Sequence, residues 1–321
     1  MLRLSLPALL LTSGLATAQI SAQTPAQTAP QTVEVTHEEG TTRVPRNPRR
    51  VVFIGAYPLQ FAFALKTNVV VGLATDLEPQ DIHINPDRTL KFVNRQTFFR
   101  HGDLGRAVYV GTDAQPSLER IAQLKPDLIV RSWWPGQEGY AQLSRIAPTL
   151  SLDETRPGAW EKALKTYARV FGKEREAQAV IDHERAQERT LARDLAAAGV
   201  LKRYPQAAVL SGGENLSNYW IETGSRLVPV LERLGFRMGL LPAADYRRGE
   251  LGKVISQEVL TGLTSGTLVT FHQYRKEPMG PVLQKTSARV LDYVIEPYSP
   301  WIGPYAEERY LNYLRGQLLG R

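Results

Sequence analysis

The 321-residue chain has no cysteine. That excludes disulfides, thiol catalysis and cysteine-ligated metal centres, and it leaves no N-terminal cysteine to carry a lipid. Histidine is scarce as well. His37, His83, His101, His183 and His272 are scattered, and no two stand three or four residues apart as on a metal-binding helix face. There is no Gly-x-Ser-x-Gly elbow, no Gly-x-x-x-x-Gly-Lys-Ser/Thr phosphate loop and no His-Glu-x-x-His. The pair Gly212-Gly213 lacks the third glycine of a dinucleotide fingerprint. Carboxylates are plentiful, but no spacing pairs two of them across a site, so catalysis has no anchor. Charge of one sign is not concentrated either. The 39 Lys and Arg against 32 Asp and Glu give a net charge of +7, spread without a long block. That describes a basic soluble surface rather than a nucleic-acid-binding strip. Beyond the N-terminus no apolar run is long enough to span a bilayer.

What is present begins with a targeting segment. Arg3, the apolar run Leu4 to Leu11 broken at Pro7, and the small-residue pattern Ala16-Thr17-Ala18 before Gln19 read as a secretory signal over residues 1–18. Residues 19–32 are rich in Gln, Thr, Ala and Pro and read as a disordered leader. With no cysteine to lipidate, the expectation is a soluble protein exported to a periplasm. The remainder, in a chain that is 43% hydrophobic and 22% charged, has ordinary globular composition.

Strand and helix patterns alternate. Val51 to Ile54 reads as a buried strand, Leu59 to Lys66 as a helix and Val69 to Leu73 as a strand. Val108 to Val110 is strand-like, Leu118 to Leu124 helical, and Asp127 to Val130 the next strand. The pattern resumes with strands at Ala207 to Leu210, Thr267 to Phe271 and Val290 to Ile295, and helices at Leu227 to Leu234 and Glu307 to Leu319. Such alternation implies an α/β fold with mostly parallel sheets. Between the halves, Lys173 to Ala198 has neither Gly nor Pro and is bracketed by Gly172 and Gly199. Ala177, Val180, Ile181, Leu191 and Leu195 supply one apolar side, and the rest is charged. A helix there is about 39 Å long at about 1.5 Å per residue. It reads as a rod bridging two lobes, with an ordinary long surface helix as the alternative. The organisation expected is an N-terminal α/β lobe over 33–157, a connecting helical segment over 158–199 and a C-terminal α/β lobe over 200–321.

In α/β folds ligands bind outside the carboxyl ends of the strands. The segments expected there carry Tyr57, then Arg131, Trp133 and Trp134, then Tyr219 and Trp220, then His272, Tyr274 and Arg275, and finally Trp301. Four of the five tryptophans fall in these segments, and Trp160 does not. Aromatic walls with guanidinium groups suit a bulky, partly apolar, anionic ligand. For any single tryptophan, anchoring a loop to the core is an equally good reading.

Three blocks carry a resemblance. They are His37-Glu38-Glu39-Gly40-Thr41-Thr42-Arg43-Val44-Pro45 with the following strand, Gly111-Thr112-Asp113-Ala114-Gln115-Pro116-Ser117-Leu118-Glu119 with Leu124-Lys125-Pro126-Asp127-Leu128-Ile129, and Tyr140 to Leu150. Together they resemble the class III periplasmic solute-binding proteins of siderophore, haem and cobalamin importers, closest to the branch for ferric citrate and hydroxamate siderophores. The likeness runs over residues 33–321 and is looser in the second half.

The resemblance implies two Rossmann-like lobes joined by one long rigid helix, with a shallow ligand cleft between them. It implies a non-enzymatic, monomeric binding protein with no resident cofactor. Such a protein captures a preassembled iron(III)–siderophore and delivers it to the permease subunits of an ABC importer. One glutamate per lobe would dock on the permease, and Glu119 and Glu258 fit these positions. The family's ligand contacts carry over to Arg131, Trp134, Trp220, Tyr274 and Trp301, and further to Tyr57, Trp133, Tyr219 and Arg275. Two departures bear on the ligand. The loop Pro135 to Gly139 lacks the histidine found in much of this branch, and the insert from Leu77 to Gly105 either covers the cleft, with Arg100 as an anion contact, or is a local elaboration. Two other readings stay open: a haem-binding member using a tyrosine or His272 as axial ligand, and an exported esterase of siderophores.

Overall fold

A computed structural model describes residues 31–77, 82–93, 101–134, 136–154, 158–212, 218–223, 227–240, 252–273, 279–295 and 303–320. The chain opens with an antiparallel hairpin, β1 (Thr32–His37) and β2 (Gly40–Pro45), paired from Thr32↔Pro45 to His37↔Gly40. The first lobe follows as β3 (Val51–Ile54), α1 (Leu59–Ala64), β4 (Val70–Ala74), β5 (Ile82–Ile84), β6 (Leu90–Phe92), β7 (Val108–Tyr109), α2 (Leu118–Gln123), β8 (Leu128–Ser132), α3 (Tyr140–Ser144) and β9 (Thr149–Leu152). Its main sheet has the order β7-β4-β3-β8-β9, and every pairing in it is parallel. A parallel sheet needs cover on both faces, and β3 shows why Val-Val-Phe-Ile suits it. Val51 and Phe53 join the core under α1, while Val52 and Ile54 join a second core with Ile121 and Leu143. Each large side chain buried in this way contributes about 1.5–3 kcal/mol. Within the insert, β5 and β6 form a hairpin, and Thr89 bridges to Val108 of the edge strand β7.

Two helices lead to the second lobe, α4 (Ala159–Phe171) and α5 (Glu174–Ala197). Gly172 separates them in the left-handed region at φ +64°, a conformation that lets the chain stop one helix and start the next. Gly172 is also the punctuation that the sequence places before the rod. Along α5 the buried residues are Ala177, Ile181, Glu184, Glu188, Leu191 and Leu195, alternately four and three apart, so they form a single stripe. Ala177 and Ile181 belong to the first lobe's core, and Leu191 and Leu195 to the second's. One rigid helix is thus built into both lobes, which makes it the bridge.

The middle of that stripe is polar, which the apolar pattern did not show. Glu188 accepts from Arg185 at 2.8 Å and from Arg233 at 2.6 Å, and Arg185 also pairs with Glu161 of α4. The Trp160 indole N–H donates to Glu307 Oε1 at 2.8 Å.

The second lobe comprises α6 (Val200–Arg203), β10 (Gln206–Gly212), β11 (Asn218–Glu222), α7 (Leu227–Arg233), β12 (Arg237–Met238), β13 (Gly252–Ser256), a 3-10 turn (Gln257–Gly262), β14 (Thr267–Gln273), α8 (Pro281–Lys285), β15 (Arg289–Val294) and α9 (Pro304–Leu319). Its sheet runs β13-β11-β10-β14-β15, with β12 beside β10. Strands β10, β14 and β15 are parallel, whereas β11 is antiparallel to both neighbours. Asn218-Tyr219-Trp220, expected as a strand-end loop, is therefore the start of a strand. No helix among the described residues is long and apolar enough to cross a membrane.

Candidate ligand-binding site

Because the first sheet is parallel, its strands release the chain at one edge. From β3 the chain turns through Gly55, at φ +98°, to Tyr57, and from β8 it passes directly to Trp133 and Trp134. The two strands are neighbours, with Ile54 opposite Arg131, so the segments meet. The Tyr57 and Trp134 rings pack edge to face at 6.5 Å and 68°. Such a pair contributes about 0.5–1.5 kcal/mol beyond its burial. Trp134 keeps 38% of its surface exposed and Tyr57 is half-buried. Trp133 is half-buried, and its main-chain N–H donates to the Leu152 carbonyl at 2.9 Å, tying the segment to β9.

Arg131 departs from the expectation. It is the fourth residue of β8, its side chain is 1% exposed, and its donors are used internally. Nε donates to Ser151 Oγ at 3.1 Å, Nη1 to the Glu138 carbonyl at 2.9 Å and Nη2 to the Gln137 carbonyl at 3.3 Å. Glu39 in the opening hairpin lies 3.8 Å from Nη2. Burial works to lower the guanidinium pKa, and Glu39 and Tyr140 oppose that. Here Arg131 fastens the far side of the Trp134 segment rather than offering charge to a ligand.

Sequence reasoning missed the carboxyls behind this edge. Asp76 lies just beyond β4 and Asp113 beyond β7, and these strands are adjacent. The Asp113 carboxyl sits beside Gly55 and is pushed up to about 7, by burial first and then by the Asp76 charge, against a hydrogen bond from the Asp76 backbone. Glu154, just past β9, accepts from Ser132 Oγ at 2.7 Å and from the Tyr167 hydroxyl at 3.0 Å. Burial holds its carboxyl at about 7 despite both bonds. Both pairings depend on strand order, which no spacing in the sequence records.

In the second lobe, alternation along β11 separates Tyr219 from Trp220. Tyr219 is 1% exposed and packs edge-on against Phe271 at 6.2 Å, so it is a core residue and not the ligand contact expected. Trp220 is 38% exposed. It pairs with Ser211, near the carboxyl end of β10, and therefore lies at the sheet edge where β14 and β15 also end. His272 is 2% exposed and pairs with Glu222, which removes it as an axial ligand for haem. Arg100, Tyr274, Arg275 and Trp301 lie outside the described residues.

The two carboxyl edges converge on one floor. Gln60, in the first turn of α1 beyond β3, lies against Gly303, which opens α9 beyond β15; any side chain at Gly303 would strike the Gln60 carboxamide. Gly303 also adopts φ +109°, which favours glycine. The Trp160–Glu307 bond and the His101–Tyr305 stack, with ring centroids 4.0 Å apart, join the lobes beside it.

Glu119 and Glu258 occupy matching positions. Glu119 is in the first turn of α2, after the edge strand β7, and is exposed. Glu258 is in the 3-10 turn after the opposite sheet's edge strand β13, and is also exposed. Since β13 runs parallel to β10 through β11, both glutamates lie at the carboxyl edge of their own sheet.

The sequence pattern of the family described as "Periplasmic binding protein" matches residues 74–252. The chain is 34% identical over 171 residues to the putative ABC transporter substrate-binding lipoprotein YhfQ of Bacillus subtilis, covering 53% of this chain and 49% of that protein. It is 32% identical over 162 residues to the Fe(3+) dicitrate-binding periplasmic protein FecB of Escherichia coli, covering 47% and 46%. These matches span about half the length of each relative. In structure it is similar to Staphylococcus aureus SirA complexed with staphyloferrin B, with a TM-score of 0.67 and 22% identity over 90% of this chain and 99% of that one. The last likeness shows the two-lobed fold, and the family match covers more than half the chain. This chain belongs to the periplasmic binding protein family.

Proposed function

We propose that the protein captures a preassembled iron(III)–siderophore of the hydroxamate or citrate type between its lobes and delivers it to the permease of an ABC importer. The observation that carries this reading is the convergence of exposed aromatic surface, Trp134 with Tyr57 on one edge and Trp220 on the other, at the carboxyl ends of two sheets that share a floor. Aromatic faces pack on the apolar arms of such a complex, and no protein atom needs to ligate the iron. Tyr274, Arg275, Trp301 and Arg100 complete the contact set, with the arginines meeting the ligand's carbonyl or carboxylate oxygens. FecB, by its name, binds ferric dicitrate, which supports this ligand class.

The bridging helix keeps the cleft largely formed before binding and so limits the ordering cost. Glu119 and Glu258 present one carboxylate per lobe on the same side as the cleft, suited to docking on basic pockets of a permease. The protein acts as an exported, unlipidated periplasmic monomer without catalysis; the N-terminal signal pattern and the absence of cysteine support export without lipidation. YhfQ, by contrast, is named a lipoprotein.

Titration of intrinsic tryptophan fluorescence with ferric hydroxamates, ferric citrate, ferric catecholates and haemin tests the proposal. Saturable quenching by a ferric hydroxamate or ferric citrate, with no response to the iron-free ligand or to free iron, is expected. Binding of haemin alone, or turnover of an ester siderophore, would overturn it.

A further inference from the structure

Apart from the candidate site, a cavity of about 390 Å³ opens where the two lobes meet α5. It shares no lining residue with Tyr57, Trp134 or Trp220. Phe63 of α1 comes from the first lobe, Val180 and Glu184 from the bridging helix, and Pro304 and Tyr305 from α9. The walls are mostly hydrocarbon, closed on one side by the His101–Tyr305 stack. Against them stands one polar anomaly. Glu184 is 4% exposed, lines the cavity, and its Oε2 has no hydrogen-bond partner. A buried carboxylate oxygen left without a donor is costly, and a donor in the cavity would remove that cost.

The neighbouring cations are already engaged. Arg185 pairs with Glu161 and Glu188, and Arg233 with Glu188 and Glu307. At the rim, Glu176 is paired with Lys173 at 2.8 Å, and Glu308 adds a further carboxylate. Lys66, His101 and His183 are the basic groups that line the cavity. A hydrocarbon wall with one donor-starved carboxyl inside it and an aromatic ring beside it suits an organic cation rather than a hydrated metal ion. Among the described residues, moreover, no three His, Asp or Glu side chains gather as metal ligands.

We propose that this cavity binds a small organic ammonium ion, whose N–H groups donate to Glu184 Oε2 while its alkyl part packs on Phe63, Val180 and Pro304. The occupant touches both lobes and the helix between them, so it braces the junction on which the cleft depends. The Glu184 carboxyl is pushed up to about 8, by burial first and then by Glu307, Glu308 and Glu188, against Arg185. An ammonium ion returns it to the charged form, so uptake near neutral pH releases a proton. Binding therefore tightens as pH rises toward about 8.

Calorimetric titration of the full chain with n-butylammonium chloride tests this, with n-butanol and sodium chloride as controls and two buffers of different ionisation enthalpy. Saturable binding of butylammonium, absent with sodium chloride, with net proton release and an affinity at least about tenfold above that of butanol is expected. Glu184→Gln should weaken butylammonium at least about tenfold. Ala179→Leu, which fills the cavity from α5 without altering Glu184, should weaken it as well and decides the matter should the glutamine variant fail to fold. No saturable heat at millimolar butylammonium, or unchanged affinity in Ala179→Leu, would overturn the proposal.

Discussion

The two lobes present their exposed aromatics on different kinds of sheet. The first presents five parallel strands, all ending at one edge, so its candidate site residues Tyr57 and Trp134 stand in the turns that follow. The second reverses one strand, and its exposed aromatic, Trp220, projects from within β11 instead of from a turn. What Trp134 and Trp220 share is therefore position at the carboxyl edge of a sheet, not membership of a loop. The difference also separates two kinds of polar group. Arg131 and Glu154 are buried beneath the first edge and hold it, whereas Trp134 and Trp220 stand on the surface and are held.

The sharpest way to break that distinction is to remove the holder. Arg131→Met leaves the Gln137 and Glu138 carbonyls and Glu39 without their donor, and should cost about 2–4 kcal/mol in denaturant unfolding. Ligand affinity should fall with it, because the Trp134 segment loses its anchor. Trp134→Ala should leave stability within about 1 kcal/mol and lower affinity alone. Equal loss of stability in both variants would erase the difference between holder and held.

A second test concerns pH. The folded state raises Glu154 to about 7 and Glu307 to about 7, from an ordinary value of 4.5. The unfolded chain therefore binds fewer protons than the folded one between these values. Unfolding free energy should be greatest below about pH 4.5 as far as these groups are concerned, and should fall as pH rises through 7. Glu154→Gln should flatten the profile by about 1–3 kcal/mol across that window. A slope unchanged in the variant would remove Glu154 from the first lobe's support.

The floor can be probed at Gly303. Gly303→Ala places a methyl against Gln60 in a backbone conformation that favours glycine, and should cost about 1–2 kcal/mol. Because this contact joins the lobes, it should shift ligand affinity as well, unlike a glycine substitution at the open Gly136. The smallest effect in solution belongs to Glu119→Ala and Glu258→Ala. Both side chains are exposed; Glu119 accepts a surface bond from Gln123 at 3.2 Å and Glu258 one from Ser256. Stability should stay within about 0.5 kcal/mol and ligand affinity should not change. Uptake by cells carrying the cognate importer should fall, most in the double variant.

Much of the fold was legible because local chemistry and topology agree. The run Val51 to Ile54 is a buried strand wherever it is placed, and Gly172 and Gly199 bracket the bridging helix as the sequence suggested. The errors fall where tertiary order decides. Tyr219 and Trp220 are adjacent aromatics, and only the pairing of β11 with β10 shows that one enters the core and the other faces solvent. Arg131 read as a ligand group because it adjoins two tryptophans, yet strand alternation turns its side chain inward to Ser151 on β9. The carboxyls Glu184 and Glu188 lie on the apolar stripe of α5 at helical spacing, so the seven-residue interval between Ile181 and Glu188 was the signal available. Asp76 and Asp113 meet only through the neighbouring ends of β4 and β7, and no local pattern announces them.

The measurement that tests the central claim most directly is a binding cycle for a saturating ferric siderophore with Trp134→Ala, Trp220→Ala and the double variant. A complex held between both edges predicts a loss of about tenfold from each single substitution and a larger loss from the pair. Full affinity in Trp220→Ala would contradict the account, because the second lobe's exposed edge would then take no part in holding the ligand.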